Sequence, residues 1–219
     1  MSAVAHRLIL ARHGESEANA GAAAPDPESS PLTALGERQA AAIALALDAP
    51  PELIVTSRFH RARQTAAIAR VHFPLARLEE WPVHEFHYLG ATAYDGTTYR
   101  ERRPAREAYW RDSDPERICE AGAESFTAFL ARVGGVRERL ENASERRILV
   151  VAHKKFLHAL AWSWLEGARQ ADAAAMRDFR AFDRSRPFPN GAWMEVELSP
   201  AGALLSALHT AHLPPRNAA

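Results

Sequence analysis

The residues best suited to chemistry in this sequence are Arg12 and His13, which directly follow the short apolar run Leu8–Ala11. A buried strand that ends at Arg-His-Gly presents these side chains at its carboxyl end, where open α/β sheets bind their ligands. Arginine can bind phosphate through paired hydrogen bonds, and histidine can act as acid, base or nucleophile near neutral pH. The pair therefore predicts a site for an anionic substrate.

Two further apolar runs end in polar and cationic side chains. The first run is followed by Ser57, Arg58 and Arg61, and the second by His153, Lys154 and Lys155. Because the carboxyl ends of parallel strands meet at one edge of a sheet, we expect these groups to converge with Arg12 and His13. Several cations in a partly buried pocket repel one another, and a bound di-anionic phosphoryl group removes that repulsion.

Four segments of the sequence resemble the histidine phosphatase superfamily, also called the phosphoglycerate mutase-like family. They lie in the family's order and cover most of the chain. They are Arg-His-Gly-Glu-Ser-x-x-Asn at residues 12–19, Leu-Thr-x-x-Gly-x-x-Gln-Ala at 32–40, Ser-x-x-x-Arg-Ala-x-Gln-Thr-Ala at 57–66, and the strand Val-Val-Ala-His at 150–153. The resemblance implies a largely parallel sheet with helices on both faces and a phosphoryl-transfer activity.

The resemblance also assigns roles to residues of this chain. It implies that His13 is the nucleophile, neutral at the attacking nitrogen, and that it forms a phosphohistidine that water then hydrolyses. It implies that Arg12, Arg61 and His153 hold the phosphoryl oxygens and that Asn19 helps to bind the phosphate. This division of labour suits phosphoryl transfer, in which catalysis is mostly positioning and charge stabilisation.

A leaving alkoxide needs a proton, and the family supplies it from a glutamate. Glu85 is the best match, since it precedes Gly90 and the Asp95-Gly96 pair, although this chain has extra residues between the two. Glu101 is the alternative general acid.

Two lysines mark a departure from the family pattern. The family usually places glycines after its second histidine, whereas Lys154 and Lys155 stand there in this chain. Lys154 is therefore a candidate substrate-binding residue for a second anionic group. The alternative is that both lysines point into solvent.

The elements that must position these residues alternate between strands and helices, which predicts an α/β fold. We expect a three-layer α/β/α arrangement with a mostly parallel central sheet, one domain over residues 1–219, and a cap-like insertion at 81–120. The predicted strands are Arg7–Ala11, Glu52–Thr56, Leu75–Leu78, Arg147–Ala152, Trp193–Leu198 and Leu204–Leu213. The predicted helices are Thr33–Leu47, Arg61–Arg70, Ala123–Asn142, Phe156–Leu165 and Asp172–Phe182.

The 81–120 segment holds all four tyrosines of the chain and six arginines, among them Arg100, Arg102, Arg103, Arg106 and Arg111. One interpretation is a lid that extends cationic side chains toward the substrate. The other is a charged helix whose arginines face water above packed tyrosines.

Composition limits the function classes. Lys plus Arg and Asp plus Glu number 27 each, so no global charge calls for nucleic acid or an anionic membrane. The chain has a single cysteine, Cys119, and no apolar run long enough for a signal core or a spanning helix. These features predict a cytoplasmic protein.

His84-x-x-His87 and His209-x-x-His212 have a metal-like spacing but no third ligand nearby, so no metal and no cofactor are expected.

The sequence therefore predicts a metal-independent phosphomonoesterase that acts on a small-molecule phosphomonoester. A phosphoglycerate mutase-type transferase is the runner-up, although mutases of the family carry a longer segment after the acid glutamate. A phosphate-binding protein without turnover is the rival from another class. Neither nucleic acid nor membrane is an expected partner, and a homodimer stays possible.

Overall fold

The apolar runs of the sequence form the centre of a six-stranded sheet in a computed structural model, which describes residues 6–167 and 169–215 of the chain. The strands are β1 (His6–Arg12), β2 (Leu53–Thr56), β3 (Arg77–Glu80), β4 (Arg147–Ala152), β5 (Trp193–Ser199) and β6 (Gly202–Leu205). Their order across the sheet is β3-β2-β4-β1-β5-β6. The pairs β3-β2, β2-β4 and β4-β1 are parallel, and the β1-β5 and β5-β6 pairs are antiparallel. The predicted mostly parallel sheet is thereby confirmed.

Helices cover both faces of this sheet. They are α1 (Glu17–Ala20), α2 (Ala34–Ala46), α3 (His60–His72), α4 (Arg103–Asp112), α5 (Phe126–Glu141), α6 (Lys154–Glu166) and α7 (Ala173–Ser185). None of the helices in the described part of the chain is long and apolar enough to span a lipid bilayer.

The alternation of side chains along the strands creates two apolar layers. In β4, Ile148 and Val150 face a large cluster that includes residues of α5, α6 and α7, whereas Leu149 and Val151 face a smaller cluster built with α2 and α3. Successive side chains of a strand point to opposite faces, so a strand buried on both faces reads as a continuous apolar run. The predicted three-layer α/β/α arrangement follows from this packing.

Two of the predicted strands lie elsewhere. β3 begins two residues after the start of the predicted strand Leu75–Leu78, and the Leu75 side chain is 97% exposed. Only the first two residues of the predicted strand Leu204–Leu213 lie in β6, which ends at Leu205, so the rest of that prediction is wrong. Just beyond it, the Ser206 N–H donates to the Glu195 carbonyl and the Ser206 hydroxyl accepts the Glu195 N–H, both at 2.9 Å, so this residue still bonds to β5 without belonging to β6.

The 81–120 segment contributes to the main core as well as to the surface. Phe86 stacks on Phe129 of α5 with ring centroids 4.3 Å apart, and Tyr88 and Tyr109 are buried beside them. Arg103 and Arg111 of α4 are exposed, as the charged-helix interpretation predicts. Arg100, Arg102 and Arg106 of the segment line the cleft described next.

Candidate active site

The three strand ends singled out in the sequence are adjacent, because β4 lies between β1 and β2. His13 follows β1 and His153 follows β4, and their ring centroids are 4.9 Å apart. The predicted convergence is therefore confirmed for these two histidines. Arg58 does not join them, since its guanidinium pairs with Glu28 at 2.7 Å and does not line the cleft.

Arg61 lies between the two histidines on the first turn of α3. Its Nε donates to His13 Nε2 at 3.1 Å, its Nη2 lies 3.3 Å from His153 Nδ1, and its Nη1 donates to the Pro27 carbonyl. A guanidinium only donates hydrogen bonds, so both imidazole nitrogens that face it must be acceptors. His13 then carries its proton on Nδ1, which donates to the Gly14 carbonyl at 2.6 Å. The electron pair of His13 Nε2 therefore accepts the Arg61 Nε–H.

The second histidine is fixed by a residue to which sequence analysis gave no role. Because His153 Nδ1 accepts from Arg61, its proton lies on Nε2, which donates to the Ser57 hydroxyl at 2.7 Å. The Phe59 ring lies edge-on to the His153 imidazole at 5.0 Å and also contacts the Arg61 guanidinium, 4.9 Å from its centroid. Ser57 stands at the end of β2 within a quoted motif, and that position was the available signal.

Burial and positive neighbours keep both imidazoles neutral. Burial, followed by the charges of Arg61 and Arg12, holds the pKa of His13 well below its usual value of 6.5. Burial and Arg61 likewise hold the pKa of His153 well below that value. Burial also lowers the pKa of Arg61 to about 10, so its guanidinium stays charged at neutral pH.

The backbone around His13 is held by the other quoted motifs. A Cβ atom on Gly14 would lie 2.2 Å from the Gly36 carbonyl oxygen, so only glycine permits this contact between the β1 end and α2. The Gly14 N–H donates to Thr65 Oγ1 at 3.1 Å, and the Glu15 N–H donates to Gln39 Oε1 at 2.8 Å. The Gly, Gln and Thr residues of the motifs therefore position the nucleophile candidate rather than contact a ligand.

Arg12 and Asn19 line the same cleft as His13. Arg12 Nη1 donates to the Phe188 carbonyl at 2.6 Å, whereas its Nε is buried with no hydrogen-bond partner among the described residues. Asn19 Oδ1 accepts from Asn190 Nδ2 at 3.0 Å, and Asn190 also donates to the His13 carbonyl. Asn190 lies in the loop before β5 and was not predicted, because nothing in its local sequence marks a site.

Glu85 and Glu101 occupy different environments. The Glu85 carboxylate accepts from the Lys155 N–H at 3.1 Å and from the Phe156 N–H at 3.3 Å, at the N-terminal end of α6, and it lines the cleft. Free backbone N–H groups at a helix N-terminus hold an anion. The Glu101 carboxylate is exposed, accepts from Thr98, and does not line the cleft.

These groups surround a cleft of about 660 Å³. Its described cationic lining consists of Arg12, Arg61, Arg100, Arg102, Arg106, Lys154 and Lys155, and its carboxylates are those of Asp26 and Glu85. Both lysines are thus placed in the cleft wall instead of in open solvent. Within residues 6–167 and 169–215, no three His, Cys, Asp or Glu side chains group as a metal site requires.

The depressed histidine pKa values make the folded protein less stable in acid. An unfolded histidine takes up a proton below pH 6.5, whereas buried His13 does not, so the stability that His13 contributes is present above that pH and lost below it. For each histidine that stays neutral in the folded protein, the free energy of unfolding falls by about 1.4 kcal/mol for every pH unit below 6.5. Urea unfolding at pH 7.5 and 5.5 should show this loss, and His13→Ala should lessen it. Equal losses in wild type and His13→Ala would contradict the assignment, and exposed His72→Ala is the matched control.

Comparisons with known proteins agree with this geometry. Residues 8–204 match the family model of the histidine phosphatase superfamily, branch 1. The adenosylcobalamin/alpha-ribazole phosphatase of Salmonella typhimurium is 27% identical over 212 residues, which cover 93% of this chain and 96% of that protein.

Two solved structures resemble the fold over nearly the whole length. An Escherichia coli structure described as a putative alpha-ribazole-5'-P phosphatase superposes with a TM-score of 0.73 at 25% identity, covering 96% of this chain and 99% of that one. The mycobacterial glucosyl-3-phosphoglycerate phosphatase in complex with VO3 superposes with a TM-score of 0.68 at 25% identity, covering 92% and 98%. With the family model spanning nearly the whole described chain, this protein belongs to the histidine phosphatase superfamily, branch 1.

Proposed function

We propose that this phosphatase hydrolyses small phosphomonoesters through a phosphohistidine formed on His13 Nε2. The observation that carries the proposal is that this nitrogen is unprotonated: it accepts the Arg61 Nε–H at 3.1 Å, in a cationic cleft. A neutral imidazole with its other nitrogen fixed on a carbonyl is a nucleophile already in its reactive tautomer.

Substrate binding rearranges the hydrogen bonds around this nitrogen. The Arg61 Nε–H, which caps His13 Nε2 in the free protein, turns to a phosphoryl oxygen and leaves the nitrogen free to attack phosphorus. Arg12 offers its unpartnered Nε–H to another oxygen. The dianion also favours protonation of His153 at Nδ1, which makes that residue a third donor. Together they stabilise the negative charge spread over the equatorial oxygens of the transition state.

Glu85 is the proposed general acid. Its carboxyl group lies in the cleft wall at the start of α6, immediately after the strand that delivers His153. In the first step it gives its proton to the departing alkoxide as the bond between phosphorus and the leaving oxygen breaks. In the second step it accepts a proton from the water that attacks the phosphohistidine, which restores neutral His13 and releases inorganic phosphate.

The substrate is proposed to be a small organic phosphate. Alpha-ribazole phosphatases and glucosyl-3-phosphoglycerate phosphatase are named for such substrates, and a cleft of about 660 Å³ suits molecules of that size.

We place the protein in the cytoplasm, because its single cysteine, Cys119, is an exposed free thiol, which suits a reducing compartment.

Phosphate release from p-nitrophenyl phosphate and from a sugar phosphate, with excess EDTA present, tests this function. We expect full activity in the chelator, because arginines supply the charge neutralisation that a metal would otherwise provide. Vanadate, which imitates five-coordinate phosphorus, should inhibit. Loss of turnover in EDTA that a divalent ion restores would refute metal independence. Phosphate binding without any turnover would instead indicate a binding protein.

A further inference from the structure

The cleft holds more positive charge than one phosphoryl group neutralises. Among the side chains described, seven cations line it against the carboxylates of Asp26 and Glu85. A bound phosphoryl dianion and these two groups balance at most four of the seven, because Glu85 is neutral while it holds the proton for the leaving group. Asp183, outside the cleft, pairs with Lys154 at 3.5 Å and balances a fifth. At least two positive charges remain without a counter-charge among the described side chains.

Three of the seven cations belong to α4 and α6, namely Arg106, Lys154 and Lys155. Arg106 of α4 lies over the Tyr99 ring, 3.5 Å from its centroid, and its Nε is buried with no hydrogen-bond partner in the described chain. Burial by itself would raise the pKa of Tyr99, yet the charges of Lys155, Arg106 and Lys154 lower it. Three cations therefore act on Tyr99 in the cleft wall. One of them, Arg106, has a buried Nε–H without a hydrogen-bond partner among the described residues.

Lys154 is held toward this point by α7. Its ammonium donates to the Asp183 carbonyl at 3.0 Å, and the Asp183 carboxylate accepts from His158 Nδ1 at 2.9 Å. Asp183 and His158 are both buried, with 4% and 2% of their surfaces exposed. An ammonium has three N–H groups, so Lys154 keeps donor capacity for a ligand in the cleft that it lines.

We propose that the substrate is a phosphomonoester carrying a second anionic group, a carboxylate or a phosphoryl group, which Lys154, Lys155 and Arg106 bind while Asp183 positions Lys154. The proposal rests on the phosphatase function above and specifies its substrate class. The phosphoryl group to be removed lies at His13, and the second anion lies where the unbalanced charge is.

A matched pair of substrates tests the charge alone. 4-Carboxyphenyl phosphate and 4-carbamoylphenyl phosphate have nearly the same shape and differ by one negative charge. We expect wild type to prefer the carboxylate by about tenfold or more in kcat/KM, mainly through KM, since charge-assisted contacts are the strong ones. Propane-1,3-diol bisphosphate against its monophosphate repeats the test with a phosphoryl group. A preference in only one pair identifies the kind of anion, and equal kcat/KM within both pairs overturns the proposal.

Variants locate the subsite. Lys154→Ala/Lys155→Ala and Arg106→Gln should each lower the preference for the charged substrate at least about threefold to tenfold. Arg103→Gln removes a charge from the same helix but outside the cleft, where Arg103 pairs with Glu107, and should leave the preference intact. A preference that survives the lysine and Arg106 changes would place the second anion elsewhere and refute the assignment.

Asp183→Asn tests positioning. If Asp183 orients Lys154, this variant raises KM for the carboxylate substrate more than for the amide, leaves kcat nearly unchanged, and adds nothing in a Lys154→Ala background. Asp183→Glu, which keeps the charge, should restore part of the preference. An unchanged KM ratio in a folded Asp183→Asn protein, checked by circular dichroism, overturns the positioning role.

If wild type hydrolyses none of the four substrates, the phosphatase function itself fails, which is a separate outcome.

Discussion

Replacing His13 with alanine is expected to lower kcat by about 10⁴- to 10⁶-fold, the range that follows removal of a catalytic nucleophile. The reason is that His13 lines the cleft and that its Nε2 is unprotonated, since Nε2 accepts the Arg61 Nε–H and Nδ1 donates to the Gly14 carbonyl. Without it, no covalent intermediate forms, and water would have to attack the bound ester directly. Arg12 and Arg61 would remain in the cleft wall, so binding of inorganic phosphate should persist.

The measurement is chemical quenching with a substrate labelled in its phosphoryl group. Wild type should retain acid-labile, base-stable label, as a phosphohistidine does, and His13→Ala should retain none. His72→Ala removes an exposed histidine from the end of α3 and should label like wild type. Label that persists in His13→Ala would show that another residue is the nucleophile.

Replacing Glu85 with glutamine should slow phosphoenzyme formation by an amount that depends on the leaving group. An alkyl alkoxide is a strong base, so hydrolysis of a sugar phosphate should lose about 10²- to 10⁴-fold, the usual value of general acid catalysis. The weakly basic p-nitrophenolate ion leaves nearly unaided and should lose much less. Glutamine can still accept the Lys155 and Phe156 N–H groups through its carbonyl oxygen, so the local structure is preserved.

The step to follow is the burst of phosphoenzyme formation, because steady-state rates mix in the later attack of water. Glu101→Gln is the matched control, since it makes the same change at an exposed site outside the cleft. Equal losses for both substrates in Glu85→Gln would show that Glu85 only positions the phosphate. Leaving-group dependence in Glu101→Gln instead would transfer the role to Glu101.

The sequence by itself determined the architecture that holds these groups. Strand β4 was predicted with its observed bounds, because a strand buried on both faces must be apolar at every position. Helix α2 was predicted to within one residue at each end, since its Thr33 cap and the prolines after it leave little freedom. Strand β6 was placed too late in the chain, because an edge strand with one partner has a weak pattern.

The sequence also identified Arg12, His13, Arg61 and His153 as one group, because each lies at or just beyond the end of a strand. It left two questions open that the tertiary structure addresses. Glu85 and Glu101 are both glutamates of one irregular segment, and only contact with the N-terminal end of α6 distinguishes them. Lys154 and Lys155 begin a helix, and the neighbours brought by α4 and α7 place them in the cleft wall.

The reactive tautomers were decided by the tertiary structure alone. A histidine carries no mark in the sequence of which nitrogen holds its proton. Arg61 comes 48 residues after His13 and 92 before His153, yet its guanidinium contacts both rings and forces both facing nitrogens to be acceptors. The sequence determines which residue types reach the sheet edge, because burial imposes a pattern on each strand. Hydrogen-bond direction and net charge in the cleft depend on groups far apart in the chain, and only folding brings them within contact distance.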